Sequence, residues 1–312
     1  MARCASACGP STERNEDAGV KKSGTAGAGR SRVGLWLRPL LGLALLIVLA
    51  FFLLQLYFIG RIALMNLIPP ESTAFQRSEM LRVVRTTGEL KWRQDWVPYS
   101  QISVHLKRAV IASEDASFVE HDGVDLEALE KAWEKNALAE QRAQKLAERQ
   151  AQKQAQAARQ QTTKQASNTS KTSAAPSPSP TPPRPAVKPP KIIGGSTITQ
   201  QLAKNLFLSS ERTLLRKGEE LVLTLMLESL LSKQRILEIY LNHVEWGEGV
   251  FGAEAAAQHY FRKSAARLSP YEAARLAVML PRPRYFETRP NSGYLAVRAN
   301  TIVARMGGVE TP

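Results

Sequence analysis

One stretch near the N-terminus is apolar almost without interruption. Between Leu35 and Ile59 only Arg38 and Gln55 break the run, and aromatic residues lie close to both of its ends. A helix of that length crosses a bilayer core of about 30 Å. A cleaved signal peptide would have a shorter apolar core followed by a small-residue cleavage site, and the sequence has neither. The pattern therefore predicts a transmembrane signal-anchor helix at 35–59.

The two flanks of this helix predict its orientation. Residues 1–34 are rich in Gly, Ala, Ser and charge without periodicity, which is typical of a disordered tail. Arg30 and Arg32 precede the apolar run, whereas chiefly Arg61 follows it. Because basic residues stay on the cytoplasmic side, we expect a basic cytoplasmic tail and an extracytoplasmic domain at 60–312.

Helical periodicity dominates the rest of the chain from about Ser100 onward, wherever the sequence is not of low complexity. Residues 69–99 alternate apolar and polar positions only weakly, so we expect an irregular or partly stranded lead-in there. The fold class predicted for residues 60–312 is therefore mainly α.

A low-complexity segment interrupts this domain. A helix that starts at 125–133 is expected to run on into residues 137–161, which mix Ala, Gln, Lys, Arg and Glu without an apolar stripe and so give it nothing to bury. Eight of the 18 prolines then lie between Pro176 and Pro190, a pattern typical of an extended spacer. Since strongly patterned sequence resumes afterwards, we interpret 137–190 as an insertion within one domain that forms a mobile loop.

Net charge does not indicate a nucleic-acid-binding protein, although the chain carries +14. The tail through Arg38 supplies +4 and the insertion at 137–190 supplies +7, which leaves +3 for everything else. The insertion would then either attract anionic lipid or substrate, or be functionally silent. Both cysteines, Cys4 and Cys8, lie in the tail, so the domain depends on its hydrophobic core and not on disulfides.

The first candidate site follows the apolar helical stretch 104–112. Residues 113–125 collect ionisable side chains in a turn-rich run, namely Glu114, Asp115, Glu120, His121, Asp122 and Asp125. A carboxylate at the end of a helix can be aimed into a cleft by the rigid element behind it. The same run also suits a helix–loop–helix junction in which Asp125 caps the next helix.

A second candidate site begins with Gly194, Gly195 and Ser196, which predict a loop and an N-cap. In the helix that follows, one arc of about 100° holds polar side chains without an acid, namely Thr197, Gln201, Lys204 and Asn205. A helix N-terminus beside a lysine suits an anionic ligand, and a solvated helix face is the alternative.

A third motif contains Arg216 and Glu220, which are four residues apart and would share a helix face. The apolar run 221–231 follows directly, so we expect Glu220 to be at least partly buried. A buried carboxylate needs a cationic partner to stay charged. The third motif is thus a second candidate carboxylate with its own cation.

One protein family has these motifs in this order. The chain resembles the peptidoglycan glycosyltransferases in E-D-x-x-F-x-x-H-x-G at 114–123, G-G-S-T-I-T-Q-Q-L-A-K-N at 194–205 and R-K-x-x-E at 216–220. Residues 233–242 and 272–277 resemble the fourth and fifth motifs of that family. No S-x-x-K with a later K-T-G occurs, so the chain resembles the monofunctional, membrane-anchored branch of glycosyltransferase family 51.

The resemblance implies a lysozyme-like, mainly α domain with a small lobe in the membrane surface, preceded by one transmembrane helix. It also implies polymerisation of lipid II outside the bacterial cytoplasmic (inner) membrane, with inversion to a β-1,4 linkage. The expected partners are lipid II, the lipid-linked glycan chain and the bilayer, with transpeptidases or other cell-wall proteins as candidates and no nucleic acid. No cofactor is expected to be obligatory, a divalent cation (Mg²⁺ or Mn²⁺) is an option, and no metal ligand is certain.

The same resemblance assigns roles to the candidate residues. Glu114 would be the base that activates the 4-hydroxyl of the incoming sugar, and Glu220 would assist the leaving pyrophosphate directly or through a cation. The cations expected to neutralise pyrophosphate are Lys204, Arg216 and Lys217. The side chains expected to orient the substrate are Thr197, Gln201 and Asn205, and those expected to shape the pocket around Glu114 are Asp115, Phe118 and His121.

Two other functions stay open at this level. Two carboxylates on a helical scaffold can also cleave sugars, as in a lysozyme-like hydrolase or a lytic transglycosylase. An inactive, membrane-anchored scaffold for cell-wall assembly is the other alternative. Lys204, Arg216 and Lys217 argue against the hydrolase because a neutral glycan has no pyrophosphate to bind, and the retained glutamates argue against the scaffold.

Overall fold

The computed structural model describes residues 33–168, 195–208 and 213–312. The chain divides into two units, Met1–Leu54 and Gln55–Pro312. Residues 1–32 of the tail expected at 1–34 and the proline-rich spacer expected at 176–190 lie outside the described residues, so both stay predictions, whereas residues 33 and 34 already belong to the first helix.

The first helix, α1, runs over Val33–Leu64. Its part Pro39–Leu64 has a mean hydropathy of 2.6, and 0% of its most apolar window is buried. Among the described residues it is the one helix that is long and apolar enough to cross a membrane. The helix contains the predicted span 35–59 and continues for about one further turn at its C-terminal end.

The described part of the second unit is mainly helical, which confirms the predicted fold class. Its helices are α2 (Ala74–Thr87), α3 (Val104–Glu114), α4 (Leu126–Asn168), α5 (Ile198–Phe207), α6 (Leu214–Leu230), α7 (Lys233–His243), α8 (Ala253–Phe261), α9 (Pro270–Met279), α10 (Pro283–Glu287) and α11 (Gly293–Arg305). Short 3₁₀ turns lie at Tyr99–Gln101, Ala265–Arg267 and Met306–Gly308. The strands are β1 (Arg93–Gln94), β2 (Glu245–Gly247) and β3 (Val250–Phe251).

The three strands form a small sheet that joins distant parts of the chain. The strand order is β1-β3-β2, and β3 is parallel to β1 and antiparallel to β2. Gly249 lies in the turn before β3 with a φ of +73°, and a Cβ there would lie 2.3 Å from the carbonyl oxygen of Lys91. Only glycine fits so close an approach at that φ. The sheet therefore ties the segment after α2 to the loop that follows α7.

The hydrophobic core lies where α3 packs against α9 and α11, and where α5 packs against α6 and α7. Trp246, Tyr240 and Phe118 are among its largest fully buried side chains. Helix α3 is buried along most of its length, where Leu106, Val110 and other apolar side chains pack into the core. The first two motifs thus lie at the ends of helices that the core holds in place.

The structure corrects the expectation for residues 69–99, where α2 forms a helix of 14 residues. Thr73 and Gln76 cap it reciprocally, because each side chain accepts a hydrogen bond from the backbone N–H of the other, at 3.0 and 2.9 Å. Gly88 ends the helix with a φ of +72°. The weak alternation of apolar and polar positions did not predict α2. The capping pair and the terminal glycine are the sequence signals that would have predicted it.

Helix α4 extends far into the predicted insertion. Asp125 caps it as expected, since its Oδ1 accepts a hydrogen bond of 2.7 Å from the N–H of Ala128. The helix has 43 residues and ends at Asn168, so it is about 64 Å long. The continuation of the helix expected over 137–161 is confirmed, because a composition rich in Ala, Gln, Lys and Glu favours helix even without an apolar stripe. The mobile loop expected for all of 137–190 is wrong for 137–168.

Candidate active site

Glu114 is the last residue of α3, and its carboxylate is only partly exposed. The Nε2 of Gln201 donates a hydrogen bond of 3.0 Å to its Oε2, and the hydroxyl of Ser113 lies 3.4 Å from its Oε1. Burial raises the pKa of the Glu114 carboxyl, the two hydrogen bonds oppose that rise, and the charge of Asp115 adds to it. A carboxyl with a raised pKa at a helix end is suited to proton transfer near neutral pH.

Gln201 is itself held by a residue that the sequence analysis did not single out. The hydroxyl of Tyr240, a residue of the fourth motif, donates a hydrogen bond of 2.9 Å to the Oε1 of Gln201. Because its oxygen faces Tyr240, the amide of Gln201 turns its NH₂ group to Glu114. Burial, followed by the charges of Glu114 and Asp115, raises the pKa of Tyr240 well above its usual value, which keeps the hydroxyl a donor. An isolated tyrosine on the apolar face of a motif helix was the available signal.

Asp115 joins the end of α3 to the start of α5. Its Oδ2 accepts a hydrogen bond of 2.9 Å from the N–H of Ile198, and its Oδ1 lies 2.8 Å from the Nε2 of His121. The Nδ1 of His121 accepts a hydrogen bond of 3.1 Å from the N–H of Gly123. These partners place the imidazole proton on Nε2, where it is donated to Asp115. The carboxylate is therefore occupied in fixing the geometry around Glu114.

Phe118 and His121 lie beside this network. Phe118 is fully buried, and its ring centroid is 6.4 Å from that of His121 in an edge-to-face arrangement. The Nζ of Lys233 lies 4.7 Å from the Phe118 ring centroid and donates a hydrogen bond to the carbonyl oxygen of His121. Lys233, the first residue of the fourth motif, is a second residue that the sequence analysis did not single out.

Thr197, and not Ser196, is the N-cap of α5. Its hydroxyl accepts a hydrogen bond of 3.2 Å from the N–H of Gln200 and donates one of 2.7 Å to the carbonyl oxygen of Gly123. The side chain is buried, so both of these bonds are internal. The structure thus gives Thr197 a capping role that the sequence analysis assigned to Ser196, and its direct contact with a substrate stays a prediction.

The rest of the predicted polar arc of α5 faces away from the core. Gln201 and Asn205 are half-buried and Lys204 is exposed, whereas Leu202 and Leu206 are buried. The helix runs over Ile198–Phe207, as the second motif predicts, and Gly194 lies outside the described residues.

Glu220 is buried on α6 with 4% exposure, which confirms the expected burial. Lys217 forms an ion pair with its Oε1, and the guanidinium of Arg216 lies 3.6 Å from its Oε2. The Nε of Arg216 has no hydrogen-bond partner among the described residues. One buried carboxylate is therefore held by two cations, of which Lys217 is the more exposed.

Helix α6 turns the side that carries Glu220 toward the loop after Phe118. A Cβ on Gly123 would lie 2.7 Å from Thr224 and 2.9 Å from Glu228, which are one and two turns beyond Glu220. Glu228 accepts hydrogen bonds from the hydroxyl of Thr199 and from Lys233. Residues of the second and fourth motifs thus meet the loop at 121–123, and α6 packs against the same loop one and two turns beyond the third motif.

Asp115, His121 and Asp125 also offer ligand atoms that lie within 4.8 Å of one another. These atoms already have protein partners, since Asp125 accepts from Ala128 and from the hydroxyl of Ser117, and His121 bonds to both Asp115 and Gly123. The cluster therefore fits a structural junction better than a metal site. The run at 113–125 is thus both a capped junction and the support of Glu114.

A half-buried carboxylate at a helix end, together with a second carboxylate held by cations, is typical of an enzyme that uses carboxylates for its chemistry. The family model described as Transglycosylase matches residues 81–172 and 187–307. The chain belongs to this transglycosylase family.

Three similar proteins bear the name biosynthetic peptidoglycan transglycosylase. The protein from Burkholderia thailandensis is 45% identical over 258 residues, which cover 83% of this chain and 82% of that protein. The protein from Bordetella pertussis is 44% identical over 277 residues, 89% of this chain and 96% of that protein. The protein from Paraburkholderia phytofirmans is 42% identical over 270 residues, 86% of this chain and 92% of that protein.

Proposed function

We propose that this chain is a membrane-anchored peptidoglycan glycosyltransferase that polymerises glycan strands from lipid II. One observation carries the proposal: helix α6, which pairs Glu220 with Arg216 and Lys217, packs through Thr224 and Glu228 against the loop at 121–123 that follows Glu114. The family match and the names of the relatives support the same reaction.

In this reaction Glu114 is the general base. Its carboxylate takes the proton from the 4-hydroxyl of lipid II while that oxygen attacks the anomeric carbon of the growing chain. The bond from that carbon to the pyrophosphate oxygen breaks, and attack from the opposite face inverts the α linkage to β-1,4. Gln201 holds the carboxylate by its N–H, and Tyr240 fixes the amide of Gln201. The raised pKa of Glu114 suits this task, because a stronger base takes the hydroxyl proton more readily.

The cations stabilise the leaving pyrophosphate, whose negative charge grows as the bond breaks. Arg216 and Lys217 already lie on Glu220 at the start of α6, and Lys204 is on the exposed side of α5. Glu220 orients these cations, and it assists the leaving group directly or through a divalent cation. Mg²⁺ or Mn²⁺ suits such a role because both prefer carboxylate and phosphate oxygens.

The remaining predicted residues support the loop beside Glu114 or orient the substrate. Asp115, Phe118 and His121 hold the loop beside Glu114, and the described contacts favour this supporting role over direct chemistry. Gln201 and Asn205 lie on the accessible side of α5, where they can contact the sugar of a bound substrate. Thr197 acts through the start of α5, which it caps.

The location that we propose is the bacterial inner membrane, with the N-terminus in the cytoplasm and the catalytic domain in the periplasm. Helix α1 supports the anchor. On α6, exposed apolar side chains support a lobe that rests in the membrane surface, namely Leu215, Leu221, Val222 and Leu225. Transpeptidases and other cell-wall synthesis proteins are the partners that such an enzyme would work with.

Incubation of the purified full-length chain with labelled lipid II, followed by separation of the products, tests the proposal. Glycan polymer supports the glycosyltransferase. Shortening of a pre-made glycan without polymer formation would support the hydrolase instead, and no reaction at all would support the scaffold. The two cations on Glu220 favour polymer, since neutral glycan gives them no anionic group to bind.

A further inference from the structure

Helix α4 carries its positive charge on one side. At 100° per residue, the five cations between residues 132 and 157 fall within an arc of about 80°, namely Lys135, Arg142, Lys145, Arg149 and Lys153. All five are exposed, and none forms an ion pair with a described carboxylate. We call this arc the basic face.

The acids of the same segment avoid the basic face. Glu134, Glu140 and Glu148 all lie outside the arc when the same helical angles are applied. A helix that only needs to be soluble usually mixes both signs on one face and gains weak pairs four residues apart. Segregation of charge along about 27 Å of helix therefore indicates a negatively charged surface as the partner of the basic face.

Two exposed leucines lie on the same side. Leu138 and Leu146 are 52% and 55% exposed, and their helical angles widen the arc only to about 100°. Leucines flanked by Lys and Arg are typical of helices that lie on the surface of an anionic bilayer. A soluble acidic protein would not need apolar side chains spaced over two turns of an otherwise polar helix.

The helix is rooted in the catalytic domain at its N-terminal end. Ala132 is buried, and a Cβ on Gly195 would lie 3.3 Å from the Cα of Leu129, so α4 packs against the start of the second motif. The carboxylate of the N-cap Asp125 lies within 4.8 Å of the nearest polar atoms of Asp115 and His121, and it accepts a hydrogen bond from the hydroxyl of Ser117. An orientation imposed on α4 is therefore imposed on the domain that carries the site.

We propose that the basic face of α4 docks on the anionic phospholipid surface of the membrane that holds the anchor helix. This interaction supplements the anchor, and it steadies the domain against the bilayer without inserting into it. Each Lys or Arg near such a surface contributes on the order of 1 kcal/mol, so removal of two cations lowers the docked-to-free ratio roughly 30-fold. The inference rests on membrane anchoring and not on glycan polymerisation.

Hydrogen–deuterium exchange of the full-length chain in nanodiscs tests this docking. The discs contain either phosphatidylcholine alone or phosphatidylcholine with phosphatidylglycerol. An exposed helix without packing partners exchanges rapidly, so docking is expected to slow exchange of peptides within 135–153 in the anionic discs only. High salt should remove that protection, because it screens the charges.

A charge-matched variant provides the control. Arg142→Gln with Gln144→Arg, and Arg149→Ala with Ala151→Arg, keep the net charge but move two cations to the opposite side of α4. All of these residue types favour helix, so helicity by circular dichroism should not change. We expect this variant to lose the lipid-dependent protection.

Two results would overturn the docking proposal. They are equal exchange of the wild type in both kinds of disc, and full protection of the charge-matched variant in the anionic discs. Polymerisation of lipid II in detergent, measured in parallel, should be the same for both proteins. A failure of that activity would count against the proposed function and not against docking.

Discussion

Glu114 is a half-buried carboxylate and Glu220 a buried one, both on helices, but their neighbours differ in charge. Glu114 receives neutral donors, the amide of Gln201 and the hydroxyl of Ser113, and the charge next to it is the negative one of Asp115. Glu220 is paired with Arg216 and Lys217. A neutral or negative neighbourhood favours a basic carboxylate, whereas two cations favour a carboxylate that stays ionised. The difference separates a proton acceptor from a group that organises positive charge.

The most severe way to break this comparison is Glu114→Gln, which removes the proton acceptor and keeps the shape. Loss of a general base typically costs 10²–10⁴-fold, so we expect the initial rate of lipid II polymerisation to fall about 10³-fold. Glu120→Gln, in the same run but exposed, is the matched control and should keep the wild-type rate. A Glu114→Gln enzyme with a near-normal rate would remove Glu114 from the mechanism.

Glu220→Gln tests the other carboxylate. The change leaves Arg216 and Lys217 in place without the group that orients them, so we expect kcat to fall about 10²-fold with a smaller change in KM. Glu219→Gln, one residue away and exposed, should have little effect.

Added Mg²⁺ sharpens the result for Glu220. If Glu220 acts through a divalent cation, higher Mg²⁺ should partly restore the rate of Glu220→Gln, and a chelator should slow the wild type. If it acts directly, neither treatment should matter. If the Glu220→Gln enzyme were as fast as the Glu219→Gln control, the carboxylate of Glu220 would not be required to orient Arg216 and Lys217.

Tyr240→Phe tests the hydrogen bonds that link Tyr240 to Gln201 and Gln201 to Glu114, and it should lower the rate of polymerisation moderately. Without the hydroxyl, the Oε1 of Gln201 loses its donor, so the amide is held less firmly with its NH₂ toward Glu114. That hydrogen bond lowers the pKa of Glu114, so its loss should raise the pKa further. Activity requires the carboxylate form, so the rising limb of the pH profile of kcat/KM should move to higher pH. At pH values below that limb, kcat/KM should be about tenfold lower than in the wild type.

The control for this variant is Tyr271→Phe, which removes a hydroxyl from an exposed tyrosine of α9. Its pH profile should match that of the wild type. The hydrogen bond of a buried hydroxyl contributes about 1 kcal/mol to the free energy of unfolding. Tyr240→Phe, unlike Tyr271→Phe, should therefore also unfold at a slightly lower temperature. An unchanged pH profile for Tyr240→Phe, despite that loss of stability, would reduce Tyr240 to a structural residue.

The comparison of the two glutamates also shows what the sequence could predict. The spacing of Arg216 and Glu220, followed by an apolar run, was enough to predict a buried ion pair, because the rules of helix geometry are local. The position of Glu114 at a helix end followed from the apolar stretch before it. Helix α1 and the mainly α fold class followed from hydrophobic pattern alone, for the same reason.

Contacts between distant segments could not be predicted in this way. Tyr240 meets Gln201 across 39 residues, and Thr197 meets Gly123 across 74, so no local pattern identifies these partners. Ser196 and Thr197 are both good N-caps, but Thr197 has Gln200 three residues later and forms a capping box with it, which is a local signal that the sequence analysis missed. Helix α2 was missed for a different reason, since its capping residues were visible but its core-facing side includes the polar Gln76 and Glu79.

The smallest expected effect concerns stability and has the opposite sign to the loss of activity. Burial raises the pKa of Glu114 above its usual 4.5, so the folded state prefers the protonated carboxyl. Its contribution to stability is full at pH values below 4.5 and is lost as pH rises through the higher pKa of the folded state. Glu114→Gln, which stays neutral, should therefore be slightly more stable than the wild type at pH 7.5, by a degree or two in Tm, and equal to it near pH 4. Thermal unfolding at the two pH values measures the difference. A wild type that is the more stable protein at pH 7.5 would mean that Glu114 is held as a charged group, and the contrast with the cation-paired Glu220 would disappear.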